Sequence, residues 1–297
     1  INTSDVTIYW SGGDENFDRF FVRLDDGKWI DVGSNTSYTF TSLDEGVHRI
    51  YVRALDLAGN SNVSMIVVNI DLTRPLVSIS EPKSGEYLNT SSFWVSWDGS
   101  DNMELDHYEI NYNGSWIDVG LSTKYYVTDL SDGNHTIYVR AVDKAGNTNT
   151  QSVWVIIDTV PPSVMITSPE NNTWFNYSSI TVEWSGSDLW LNHYEVMSSD
   201  NQTWINVGSS TSYTFSFAKD GEYYIYVRAV DKAGNTNTTF IRIFVDTTPP
   251  QLSIDSPKND SYINSTLVGV SWNALDNLGI DHYEVNVLSP TFIQEPL

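Results

Sequence analysis

The sequence predicts an all-β protein made of tandem seven-stranded β-sandwiches. Three observations carry that expectation. The stretch YVRAVDKAGNTNT, Tyr138 to Thr150, recurs unchanged from Tyr226 to Thr238, and a looser copy, YVRALDLAGNSN, begins at Tyr51. The copies lie 87 and 88 residues apart, a period long enough for each unit to bury its own core. Within a period, short β-branched and aromatic runs alternate with period two and break at Gly, Asn, Asp, Ser or Pro, and no segment carries a helical stripe.

The other landmarks keep the same spacing. Trp10, Trp97, Trp184 and Trp272 each close an alternating run such as FWVSW or ITVEW. Trp29, Trp116 and Trp204 open a W-I-[DN]-V-G motif, and Asp71, Asp158 and Asp246 introduce linkers, two of which end in Pro-Pro. The units so defined are 1–72, 73–159, 160–247 and 248–297. Ile1 matches Leu88, so the first unit is expected to lack its first strand. The last unit is partial, and its end after Val287 departs from the pattern. The chain begins at Ile1 without a signal peptide, as a processed chain or a window of a longer one would. The segment Gln251–Ser256, equivalent to the strand the first unit lacks, would suit donation between copies, with plain truncation the simpler reading.

In the second unit the pattern predicts strands at Leu76–Ser80, Phe93–Trp97, His107–Tyr112, Ser115–Val119, Lys124–Val127, Thr136–Val142 and Gln151–Ile157. Seven short strands without helices form a two-sheet sandwich. Asp143-Lys144-Ala145-Gly146 fits a type I turn, with the Asp carboxylate accepting from turn amides and the Gly at positive φ. On the strand before it, His135, Ile137, Val139 and Ala141 are assigned to the core, and Tyr138, Arg140 and Val142 to the outside.

A Trp ending the second strand, a Tyr-led third strand and Y-x-V-R-A-x-D-x-A-G-N into the last strand resemble fibronectin type III and related immunoglobulin-like modules. The D-T-x-P-P linkers resemble those of tandem arrays on prokaryotic, including archaeal, cell-surface proteins. The resemblance covers essentially the whole chain and implies an immunoglobulin/fibronectin-III-like fold and an extracellular, cell-surface location. At the position where it implies a core tyrosine, the units carry His48, His135 and Tyr223.

Composition narrows the function classes. Fifteen basic against 38 acidic residues give a net charge of −23, which repels nucleic acid and anionic membranes. There is no cysteine and no run of 18 apolar residues, so no disulfide and no membrane-inserted helix is expected in this segment. No nucleophile elbow, phosphate loop or zinc motif is present, and every suggestive residue recurs once per unit, as fold-maintaining residues do; catalysis is not expected.

Four sets of candidate site residues remain. Glycosylation sequons stand at Asn2, Asn35, Asn62, Asn89, Asn113, Asn134, Asn171, Asn176, Asn201, Asn237, Asn259 and Asn264, about twice the number that chance placement gives. Recurring acids, above all Asp71, Asp158 and Asp246 at the linkers, are calcium candidates, although no loop has the dense acid spacing of a dedicated calcium site; turn capping is the plainer reading. Trp29, Trp116 and Trp204 are sugar-stacking candidates against a plain packing role. Arg53, Arg140 and Arg228 face outward, and Glu109, Glu195 and Glu284 sit outward on the third strand, the neighbour of the arginine strand, so a cross-strand ion pair is expected, where the first unit has Phe21. No cofactor other than calcium is indicated. The expected function is a structural extracellular array, a stalk, surface-layer or filament component of rigid beads on Pro-rich linkers. Its expected partners are other copies of the chain, other cell-surface proteins and glycans. An adhesin or carbohydrate-binding role is the alternative, and it predicts one unit that departs from the rest with an exposed aromatic cluster.

Overall fold

The computed structural model describes residues 1–287 and is all-β among them. The divergent stretch after Val287 lies outside the described residues. The chain divides into two compact units, Ile1–Thr159 and Val160–Leu297. Three hydrophobic cores form among the described residues, spanning residues 6–70, 77–157 and 180–245.

The first sandwich holds β1 (Val6–Tyr9), β2 (Phe17–Leu24), β3 (Ile30–Gly33), β4 (Ser37–Phe40), β5 (Gly46–Asp56) and β6 (Ser61–Ile70). The second holds β7 (Leu76–Glu81), β8 (Glu86–Leu88), β9 (Phe93–Ser100), β10 (Leu105–Asn111), β11 (Ile117–Gly120), β12 (Lys124–Val127), β13 (Gly133–Asp143) and β14 (Thr148–Ile157). The third repeats it as β15 (Ser163–Ser168), β16 (Thr173–Phe175), β17 (Ser179–Ser187), β18 (Leu191–Ser198), β19 (Ile205–Gly208), β20 (Ser212–Ser216), β21 (Gly221–Asp231) and β22 (Thr236–Val245). A hairpin-like pair, β23 (Gln251–Ser256) and β24 (Ser271–Leu275), follows.

In the second sandwich a five-stranded sheet, β11-β10-β13-β14-β8, faces a three-stranded one, β12-β9-β7. The third repeats this order strand for strand. In the first, β3-β2-β5-β6 faces the pair β1-β4. The seven-strand expectation needs one amendment. The first strand is split: β7 pairs with β9 in one sheet, and β8 crosses to run parallel to β14 in the other. A three-residue segment is too short to show a period, which is why the sequence pattern missed it.

The core follows from the alternation. Ile137, Val139 and Ala141 are fully buried and His135 is half-buried, while Tyr138 and Arg140 face out, as the pattern required. The recurring Trp97 and Trp184 are 1 % and 3 % exposed. Each meets a tyrosine of the opposite sheet edge-to-face, Tyr108 or Tyr194, with centroids 5.9 Å apart at 67°. This is the preferred arrangement of ring quadrupoles. The tyrosine ring reaches that place because β9 and β17 have a glycine beside it. A Cβ on Gly99 would stand 2.6 Å from the Leu76 carbonyl and the Tyr108 hydroxyl, and Gly186 is as tight.

The implied tyrosine corner exists in function even where tyrosine is absent. Tyr223 donates its hydroxyl to the Lys219 carbonyl four residues back, at 2.7 Å. His135 and His48 make the same four-back contact through Nε2, to Ser131 at 2.7 Å and Asp44 at 2.9 Å. An imidazole N–H is donor enough for this bond.

Candidate functional site: the acidic junctions

The site is assembled from two turns and a linker. Asp143 closes β13, and its carboxylate accepts from the Asn147 amide N–H at 2.9 Å and from its side-chain Nδ2 at 2.8 Å. Asp56 and Asn60, and Asp231 and Asn235, repeat this clasp. Asp101, in the loop after β9, accepts through Oδ2 from the N–H groups of Met103 and Glu104. These are capping roles, as the plainer reading of the acids held. Asp71 ends the first sandwich, and its own carbonyl accepts from Asn147 Nδ2 at 2.9 Å.

What the sequence did not show is that Asp71, Asp101 and Asp143 converge. One carboxylate oxygen of each lies within 4.8 Å of the others. Asp71 and Asp143 are 4 % and 2 % exposed, and Oδ1 of Asp101 is occluded without a hydrogen-bond partner. Burial pushes the Asp71 carboxyl up, and the neighbouring Asp101 and Asp143 push it further in the same direction. The adjacent cation, Lys144, is engaged by Glu104. A cleft of about 500 Å³ opens beside the cluster, lined by Asp71, Asn102 and Lys144 among others. Three carboxylates offer up to six oxygens, the hard donors calcium takes, and a dication would offset the mutual repulsion. The donor set therefore fits calcium in charge and chemistry. Asp246 is half-exposed and accepts from the Thr248 N–H at 3.3 Å. Asp158 is buried at the end of the second sandwich.

A second device at the linkers also escaped the sequence reading. An acid directly before the glycine that opens the long strand reaches the linker that follows the sandwich. Glu45 accepts from Thr73 Oγ1 at 2.8 Å and also from Asn102 Nδ2. Asp132 accepts from the N–H of Thr159 at 3.1 Å and its hydroxyl at 2.9 Å. Asp220 takes Thr247 N–H at 2.8 Å, Thr247 Oγ1 at 2.7 Å, Thr248 Oγ1 at 2.5 Å and Asn277 Nδ2 at 2.9 Å. Those donors hold the Asp220 carboxyl far below the usual carboxylate range, with Thr248 contributing most. The signal was present as recurrence: an acid before Gly46, Gly133 and Gly221, and a threonine within two residues of each linker aspartate.

The remaining candidates fall as follows. Glu109 and Glu195 pair with Arg140 and Arg228 across the strand register, with Nε–Oε2 distances of 2.5 and 2.6 Å. Each guanidinium also lies over the motif tryptophan, Arg140 4.2 Å from the Trp116 centroid and Arg228 4.1 Å from Trp204. In the first sandwich Phe21 replaces the glutamate, and Arg53 sits between Phe21 and Trp29, at 4.5 and 4.6 Å. An arginine thus covers one face of all three tryptophans, which argues for packing over sugar stacking there. All twelve sequon asparagines are exposed. No helix among the described residues is long and apolar enough to cross a membrane.

Residues 91–159 match the family described as "Bacterial Ig-like domain". The chain is a tandem array of immunoglobulin/fibronectin-III-like sandwiches. The repeated core, Trp–Tyr contact and hairpin clasp carry the Ig-like module beyond the matched segment. A curated relative, a "Kelch domain-containing protein" of Sulfurisphaera tokodaii, is 27 % identical over 287 residues, covering 94 % of this chain and 37 % of its own length. The chain thus spans just over a third of that relative. Among solved structures, fibronectin(III)-like modules of CbhA from Clostridium thermocellum match at 18 % identity with a TM-score of 0.43, over 57 % of this chain and 94 % of theirs. A tetra-tandem repeat of the extending region of a large adhesion protein matches at 18 % identity and a TM-score of 0.30, over 87 % of this chain and 74 % of that one.

Proposed function

We propose that this chain is a structural segment of an extracellular, cell-surface protein: Ig-like modules, with boundaries at 72, 159 and 247, that act as beads whose linkers are held to the preceding module. The observation that carries the reading is the recurrent clamp of Glu45, Asp132 and Asp220 on Thr73, Thr159 and Thr247. A linker that only tethers has no use for two to four hydrogen bonds to one carboxylate, whereas a linker that sets direction needs them. The Pro-Pro pairs at 161–162 and 249–250 would restrict the same linkers further. Other copies of the chain, other surface proteins and glycans are the proposed partners. The exposed sequons are the proposed attachment points for sugars in a host that carries the machinery, which the intact mass of native material would test.

Calcium is the ion we propose for Asp71, Asp101 and Asp143, where it would tie the first module's end to the second module's loop and hairpin. Thermal unfolding of the chain in calcium and in chelator tests this. A saturating ion at about a hundred times its Kd contributes about 2.7 kcal/mol. The expected result is a calcium-dependent rise in melting temperature that Asp71→Asn abolishes; the same melting curve in calcium and chelator would refute the site. The clamp has its own test. Asp220→Ala and Glu45→Ala should broaden the distance distribution measured by small-angle scattering, and unchanged curves would rule out direction-setting linkers.

A further inference from the structure

The outer face of the second Ig-like module departs from its neighbours at one pair. In the first and third modules that pair is two threonines in register across the strands, Thr7 with Thr39 and Thr181 with Thr214. Their hydroxyls share a hydrogen bond of 2.9 Å in both modules. The second module places Trp94 opposite Tyr126 instead. Their ring centroids are 5.1 Å apart, and the planes meet at 53°, so the two faces form an open V rather than a closed stack. Trp94 is 53 % exposed and Tyr126 45 %, and neither belongs to the module's core. A hydroxyl pair folds this position twice over in the same chain, so the fold does not require two large aromatic faces in water here.

A cation completes the patch. Lys124 lies on the same face, two residues from Tyr126, with its ammonium 5.0 Å from the Trp94 centroid. Among the described residues no carboxylate pairs with it. Glu81, which shares its row across Ser96, faces Lys83 at 3.2 Å. In a chain of net charge −23, an unpaired ammonium beside two exposed aromatic rings complements an anion.

We infer that this face binds an acidic polysaccharide, a chain of pyranose rings bearing carboxylates. The C–H face of a pyranose packs on the indole and phenol faces, and Lys124 meets the carboxylate. The inference goes beyond the structural role above and does not depend on it. It also changes which tryptophan matters: Trp94 is 53 % exposed, whereas Trp116 is 37 % exposed and Trp29 and Trp204 are half-buried.

The test is titration calorimetry of the full chain with hexagalacturonate, with cellohexaose as the neutral comparison. Trp94→Thr combined with Tyr126→Thr reproduces the pair that the first and third modules already fold with, so loss of folding does not confound it. The expected result is binding of hexagalacturonate that the double variant weakens by about tenfold or more. Lys124→Gln should reduce it to the level of cellohexaose. No binding by the wild-type chain, or binding that the double variant leaves unchanged, would overturn the inference. Equal affinity for the two hexasaccharides would overturn the acidic class. Self-association of the wild type that the double variant abolishes, seen by light scattering without glycan, would make a second copy the occupant and overturn it as well.

Discussion

The second and third Ig-like modules share the landmarks of their interior, exchange apolar residues around them, such as Val127 for Phe215 and Ile157 for Val245, and differ in chemistry on the outside. Trp97 and Trp184, Tyr108 and Tyr194, Gly99 and Gly186, and Asp143 with Asn147 against Asp231 with Asn235 occupy the same places with the same partners. Outside, Trp94 and Tyr126 stand against Thr181 and Thr214, and at the corner His135 stands against Tyr223. The difference teaches what the repeat preserves. A close-packed interior stays apolar and exchanges one apolar side chain for another as its neighbours repack, while an exposed pair is free to change chemistry.

The largest effect should fall on the shared interior and should be the same in both modules. Trp97→Ala and Trp184→Ala each remove a buried indole from an edge-to-face contact, which costs about 3–5 kcal/mol. Chemical denaturation should show one transition moved in each variant by a comparable amount. Loss in one module without comparable loss in the other would break the equivalence of the two cores.

The next effect separates the modules at the corner. Tyr223→Phe leaves the ring and removes one hydrogen bond to the Lys219 carbonyl, a loss of about 0.5–1.5 kcal/mol that should not vary between pH 5 and 8. The corner histidine of the first module behaves differently. His48 also meets Asp25 at 2.9 Å, and that carboxylate, with the Asp44 carbonyl, raises the imidazole above its usual value of 6.5. A raised folded value means that the protonated form is held more tightly in the folded state. The stabilisation is therefore fully present below pH 6.5 and is lost as pH rises through the elevated folded value. Asp25 is lowered, first by the Arg49 amide and then by His48, so its share is present above 3.8 and lost as pH falls through its depressed value. Melting curves of the wild type and of His48→Phe should converge from mildly acid to alkaline pH; a constant difference would show that the bond to Asp44 alone matters.

How much of this was legible in the sequence follows from the same contrast. Alternation gave the core face of β13 because each buried side chain there is local to its strand. The clasp of Asp143 was legible as a turn for the same reason. The meeting of Asp71, Asp101 and Asp143 was not, because it joins a linker, a loop and a hairpin from two modules, and no period relates them. The strand β8 was too short to alternate. The Trp94–Tyr126 pair was written in the sequence as two residues that break the threonine pattern, but only the register of β9 with β12 places them opposite each other.

The smallest effect tests the outward ion pair, where the first module is the odd one. Glu109 and Glu195 are 17 % exposed at the side chain and hold Arg140 and Arg228 at 30 % and 28 %. Water still reaches both partners, so Glu109→Gln or Glu195→Gln should cost only a few tenths to about 1 kcal/mol and less as salt rises. In the first module Phe21 meets Arg53 instead, with the guanidinium over a ring rather than on a carboxylate. Phe21→Glu should therefore not raise the first module's stability at neutral pH by more than about 1 kcal/mol, and any gain should shrink as salt rises. Denaturation of that variant at pH 7 in low and high salt measures both. A gain well beyond that at pH 7 would mean that the copied ion pair stabilises its module more than its exposure allows.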